Sequence, residues 1–216
     1  MSLSTDYSRS SNPPDFTQLN LPQLDVNARE VLEFWFDEDN KQYWFIQDSS
    51  FDKLLADKFG KLWQQAKQGE CAPWRYVEEH RYLNNSNAEL AGRLAEIIVL
   101  DQFSRNLCRN QAAAFAQDAM ALVLAQEAIR QFHFNKLPWQ WRQFMIMPFM
   151  HSESLVIHQR YLPLFEELNN ANTLSFEHRH QEIIQRFGRY PHRNEALNRP
   201  STIEERKFLQ QPNSSF

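Results

Sequence analysis

Three stretches set charged and amide side chains inside otherwise apolar sequence. The first is Leu100-Asp101-Gln102-Phe103-Ser104-Arg105-Asn106. On a helix, Asp101 continues the face of Leu94, Ile97 and Ile98, so its carboxylate is expected to be at least partly buried. Arg105 lies one turn later, in the favourable order for an (i, i+4) ion pair. Two readings follow: a structural ion pair tying this helix to a neighbour, or a carboxylate with a perturbed pKa lining a cleft.

The second stretch is Met147-Pro148-Phe149-Met150-His151-Ser152-Glu153. Proline before a polar triplet predicts that one helix is kinked or ended and another restarts, exposing backbone N–H groups that can hold an anion. His151 could act as acid or base beside it. The alternative is that Ser152 and Glu153 cap the new helix while His151 fills a polar hole in the core. The third runs from His178-Arg179-His180 into Arg186-Phe187-Gly188-Arg189-Tyr190-Pro191-His192-Arg193-Asn194. From Asp101 onward there are eleven arginines and two lysines. Arginine is preferred where a planar fork grips a carboxylate or phosphate, and equally where it bonds helix C-terminal carbonyls or partner carboxylates.

Other chemistries find no support. The four glycines (60, 69, 92 and 188) spell neither GxGxxG nor GxxxxGK[ST], which excludes Rossmann and P-loop phosphate binding. There is no HExxH or GxSxG, and His178-x-His180 is a weak metal signal, so no metal, cofactor or serine nucleophile is expected. Cys71 and Cys108 form no CxxC and suit a reducing cytoplasm. A net charge of −4 argues against nucleic acid, and no run of 18 apolar residues suggests a membrane span. The N-terminus lacks the apolar stretch of a signal peptide.

The elements that must position these residues are helical. Residues 1–25 read as a flexible or extended tail, and 26–216 as a single α-helical domain. Apolar residues recur at three- and four-residue spacing after Asn27, after Ser49-x-x-Asp52 and after Ser86-x-x-Glu89. Further helices are predicted over 112–129, 139–147, 151–168 and 176–187, the last ending on Gly188, and over a final segment opened by Ser201-x-x-Glu204. Residues 71–87 stand between helix and loop. Trp139 and Trp141 cannot share a helix face, which offers one of them to a groove. The fold class is all-α, with seven to nine helices and no clean repeat of about 34 residues.

The motifs LDQFSRN (100–106), MPFMHSES (147–154), HQEIIQRFGRYPHRN (180–194) and LNRPSTIEE (197–205), with VLEFWF (31–36) and AFAQDAMAL (114–122), resemble the bacterial domain of unknown function 924 family. The resemblance covers residues 28 to 210 and implies a tetratricopeptide-like αα-superhelix with degenerate repeats. It brings no agreed activity. Ser104 stands where the family usually has proline and Asn198 where it has glycine. Asparagine tolerates the left-handed conformation such a turn requires. Motif positions single out Asp101, Gln102, Arg105, Asn106, His151, Ser152, Glu153, His180, Arg189, His192, Arg193 and Asn194.

Two functions are compatible with these residues. In one, Arg105, Asn106, Arg189, His192, Arg193 and Asn194 clamp an anionic small molecule or a peptide carboxylate on a concave face. In the other, Asp101, His151, Glu153 and His180 perform hydrolase-like acid–base chemistry. The aromatic N-terminal helix is also suited to pack across a two-fold axis in a homodimer.

Overall fold

The computed structural model describes residues 21, 23–76, 86–212 and 214. Among them there are helices, short 3₁₀ turns and connecting loops, with no strand. The successive packed helices are compatible with an αα-superhelix. Nine of the residues left between helix and loop by the sequence, 77–85, lie outside the described set, as do residues 1–20 of the expected tail. Leu21 and Leu24 are buried in the core.

The N-terminal half is built on apolar stripes. Helix α1 (Val26–Trp35) buries Ala28, Val31, Leu32 and Trp35, the spacing of a single helix face. Helix α2 (Ser49–Lys67) does the same with Phe51, Leu55, Phe59, Trp63 and Ala66. Their caps sit one or two residues before the expected ones. Asp25, not Asn27, accepts the first N–H groups of α1, and Asp48, not Ser49, accepts from Phe51. In both cases the aspartate is the residue with non-helical backbone, as capping requires.

The central rod starts as α3 (Ser86–Ile97), widens into a π-turn over Ile98–Phe103, and ends as α4 (Ser104–Leu107). Every residue of the π-turn is buried. Gly92 lets the rod approach the Ala72–Arg75 turn, since a Cβ there would sit 1.8 Å from the Trp74 carbonyl oxygen. Around the rod, Trp35, Phe36, Phe59, Phe103 and Phe144 interlock at centroid separations between 5.2 and 5.7 Å.

Helix α5 (Asp118–Ala128) is shorter than the alanine-rich run predicts, because Ala112–Ala114 is only a 3₁₀ turn. Propensity alone does not nucleate a helix. Helix α6 (Trp139–Met150) runs through Pro148 instead of ending there. Gln143 to Met150 are all buried, so packing on every side offsets the missing N–H. Trp141 is core and stacks on Phe36, while Trp139 reaches solvent. The next helix, α7, starts only at Leu155 and runs to Glu167, so no helix N-terminus opens at His151.

Helix α8 (Ala171–Phe187) packs on α7 and ends at Gly188 in the left-handed region (φ 69°), as its position predicts. Asn198 takes the left-handed conformation too (φ 51°). The last helix, α9 (Ile203–Leu209), is opened by a capping box formed by Thr202 and Glu205, one residue beyond the expected Ser201–Glu204. A small second core of Ile183, Ile184 and Tyr190 sits under this end of the chain.

Candidate active site

The π-turn buries Asp101 completely, and its carboxylate is satisfied by three partners from two elements. Oδ1 lies 2.9 Å from Arg105 Nη1 in an ion pair, while that nitrogen donates to the Asp101 backbone carbonyl at 2.7 Å. Oδ1 accepts from His151 Nδ1 at 2.7 Å, and Oδ2 accepts from Gln102 Nε2 at 2.5 Å. Burial alone would push this carboxyl up. The Arg105 guanidinium and the His151 and Gln102 hydrogen bonds overcome it and hold the group below the usual carboxylate range. Asp101 is therefore ionised. His151 is pushed below its usual pKa by burial and by the Arg105 charge, against the pull of Asp101. A neutral imidazole beside a carboxylate donates Nδ1–H and leaves its lone pair on Nε2. Nε2 makes no hydrogen bond among the described residues, and the side chain keeps 14% of its surface.

Two guanidiniums stand beside this pair, joined by Asp118. Arg105 Nη2 lies 3.0 Å from Asp118 Oδ1, and Arg193 Nη1 donates to Asp118 Oδ2 at 2.9 Å. Arg193 is fixed further by the rings of Phe115 and Tyr190, each with its centroid 4.5 Å from the guanidinium carbon. Arg105 and Asp118 keep 19% and 20% of their side-chain surface, so this edge meets water together with His151. Two carboxylates balance two guanidiniums, so the cluster offers directional donors and not a net positive field.

Two more imidazoles border the cluster. His180 donates Nδ1–H to the Phe176 carbonyl at 2.7 Å, and its ring centroid lies 6.4 Å from that of His151. Burial drives its pKa well down. The His192 ring lies tilted against Tyr190 at 5.5 Å, and burial with the neighbouring Arg193 charge lowers its pKa to about 4.

The turn that carries His151 is clamped through three successive carbonyls at the C-terminal end of α6. Tyr190 Oη donates to the Met150 oxygen at 2.6 Å, and Arg193 Nη2 to the His151 oxygen at 3.0 Å. His158 Nε2 reaches the Ser152 oxygen at 2.9 Å. A helix end leaves such carbonyls without backbone partners, and side-chain donors replace them.

The remaining sequence candidates lie elsewhere. Glu153 is held by both Nη atoms of Arg199, at 2.7 and 2.9 Å, and accepts from the Tyr190 N–H. Arg189 forks onto Glu205, and Asn194 bonds Ser201 and Glu205, so both fasten α9. Asn106 donates to Asp52 on α2, which Arg109 also grips. Of the twelve motif residues, Asp101, Gln102, Arg105, His151, His180, His192 and Arg193 come together. Sequence reasoning passed over Asp118, Phe115 and Tyr190. Phe115 and Asp118 lie in the AFAQDAMAL run (114–122) and Tyr190 in HQEIIQRFGRYPHRN (180–194), so the motifs contained them without singling them out.

The fold and this corner define an all-helical protein with a buried carboxylate–imidazole pair beside an arginine–aspartate–arginine bridge. The chain belongs to the bacterial family of proteins of unknown function DUF924, whose model matches residues 31–213. It is similar to the solved protein of unknown function ATU0120 from Agrobacterium tumefaciens, at 33% identity and a TM-score of 0.74, over 85% of this chain and 96% of that one. No curated protein matches the chain. No helix among the described residues is long and apolar enough to cross a membrane.

Proposed function

We propose that this protein is an acid–base enzyme with hydrolase-like chemistry, in which His151 Nε2 takes a proton from water or from a substrate hydroxyl or amine. One observation carries the reading: His151 Nδ1 is tied to ionised Asp101 at 2.7 Å while Nε2 has no hydrogen bond among the described residues. Asp101 fixes the tautomer and stabilises the imidazolium formed when the proton is taken. Arg105 and Arg193 lie where N–H donors can meet negative charge developing on a substrate oxygen. His180 borders the same corner as a second proton-transfer group. Glu153, bound by Arg199, is a structural carboxylate in this reading. The two buried free thiols, Cys71 and Cys108, support a cytoplasmic setting.

The test is hydrolysis of a panel of chromogenic esters, amides and phosphoesters by the full chain and by His151→Gln. A positioned general base is worth about 10²–10⁴-fold, so His151→Gln should lose at least about a hundredfold on the substrate class that reacts. Equal rates for both proteins across the panel would overturn the reading.

A second reading, an anion-binding module, is favoured by the way Phe115 and Tyr190, each with its ring centroid 4.5 Å from the guanidinium carbon, fix Arg193 beside the exposed edge of Arg105. The residues gathered for it are Arg105, His192 and Arg193. Calorimetric titration with dicarboxylates and inorganic phosphate should show binding that Arg193→Ala abolishes. Heats indistinguishable from dilution would dismiss it.

A further inference from the structure

A second carboxylate–imidazole pair lies behind the first, on α7 and α8. His158 Nδ1 and Glu177 Oε1 are 2.7 Å apart, and both side chains are fully buried. The protons of this pair can be placed from its partners. The single hydrogen of Tyr190 Oη goes to the Met150 carbonyl at 2.6 Å. The Tyr190 oxygen therefore accepts from His158 Nε2, 3.1 Å away, and the Ser152 carbonyl, 2.9 Å away, can only accept. Nε2 must carry a hydrogen. A second hydrogen lies between Nδ1 and Glu177, whichever of the two atoms holds it. The pair thus contains two protons and is neutral as a unit, which suits a site to which no guanidinium among the described residues is bonded.

We propose that Glu177 and His158 form a positioning unit for His151, holding the Met150–Ser152 turn so that His151 Nδ1 stays on Asp101. This rests on the reading of His151 as the proton-transfer group. His158 grips the carbonyl one residue beyond His151, and through Tyr190 it reaches the carbonyl one residue before it. Arg193 holds the carbonyl of His151 itself. Glu177 keeps the imidazole in the form that can donate from Nε2. Neither residue touches the open edge of the cluster, so both act through the turn and not on a substrate.

Two replacements separate the parts. In His158→Gln the side-chain amide reaches the place of Nε2 and can still donate to Ser152, but the Glu177 contact is lost. In His158→Asn the shorter amide occupies the place of Nδ1, keeping Glu177 and losing Ser152. The measurement is the tautomer and pKa of His151, followed by long-range ¹H–¹⁵N NMR of the labelled full chain. His158→Asn should turn the single Nδ1–H tautomer of His151 into a mixture and shift its pKa, and His158→Gln should leave both near wild type. Equal shifts in both variants, or none in either, would overturn the proposal. If His158→Asn does not fold, the wild-type spectrum decides: a protonated His158 Nε2 at pH 7 supports the unit, and a bare one overturns it. The result does not depend on any turnover, so it stands apart from the search for activity.

Discussion

Two pairs of the same chemistry, each with 2.7 Å between carboxylate and imidazole, meet opposite fates in this molecule. Asp101 has a guanidinium on the same oxygen that takes the His151 bond, and this holds it ionised. Glu177 has no such neighbour among the described residues, and burial pushes its pKa up despite the His158 bond. The second nitrogen differs as well. That of His158 is committed to Ser152 and Tyr190, while that of His151 makes no hydrogen bond among the described residues. A carboxylate–imidazole pair is therefore not by itself a site. What distinguishes the Asp101–His151 pair is a fixed charge beside the acid and, among the described residues, an uncommitted nitrogen on the base.

The comparison breaks most sharply on charge. Asp101→Asn should cost about 3–5 kcal/mol, because Arg105 and His151 lose the anion they were buried against. A denaturant melt showing wild-type stability would contradict the ionised assignment. Next in size is the acid response. His151, His180 and His192 have folded pKa values below their unfolded ones, so the unfolded chain binds more protons below about pH 6.5. Their contribution is intact above that pH and is lost as pH falls toward the folded values, about 4 for His192. His192 should remove up to about 1.4 kcal/mol per pH unit between its unfolded value and about 4, with His151 and His180 acting in the same direction. Melts of the wild type and of His192→Gln at pH 7 and 5 measure it, and the variant should lose less.

Glu177 has the opposite sign. Its folded pKa is raised, so its contribution is whole below the unfolded value and declines as pH rises through the folded one. Glu177→Gln should cost about 1.5 kcal/mol at pH 5 and less at pH 8, since the amide can replace a protonated carboxyl. A cost as large as that of Asp101→Asn would erase the contrast between the pairs. Smallest, and remote from both, Thr202→Ala should cost about 1 kcal/mol through loss of the α9 cap. A larger loss would mean that the Arg189–Glu205 fastening depends on that cap.

Local physics made part of this legible in the sequence. The burial of Asp101 and its ion pair with Arg105 follow from helical spacing, and Gly188 announces its left-handed backbone; for Asn198 that conformation was implied by the family resemblance. The caps at Asp25, Asp48 and Thr202 were displaced because two eligible residues stood near each start and only backbone geometry chooses between them. Pro148 stays helical because its neighbours are buried on all sides, which no local rule contains. The site itself joins residues 50 and 75 positions apart, Asp101 to His151 and Asp118 to Arg193. His158 and Glu177 could have been suspected. Glu177 continues the buried stripe of Thr173, His180 and Ile184 on α8, where an acid has no reason to sit without a partner.

The π-turn carries a consequence for how this corner could be gained or lost. A circuit of π-helix holds about one residue more than a circuit of α-helix. Deleting a single residue from Ile98–Phe103 would close the rod into uninterrupted α-helix. Leu90 and Leu94 on one flank and Ser104, bonded to Trp63, on the other would keep their faces. Only the widened circuit that houses Asp101 would vanish. The widened circuit that houses Asp101 is thus one residue of chain length, set against a rod whose flanks need none of it.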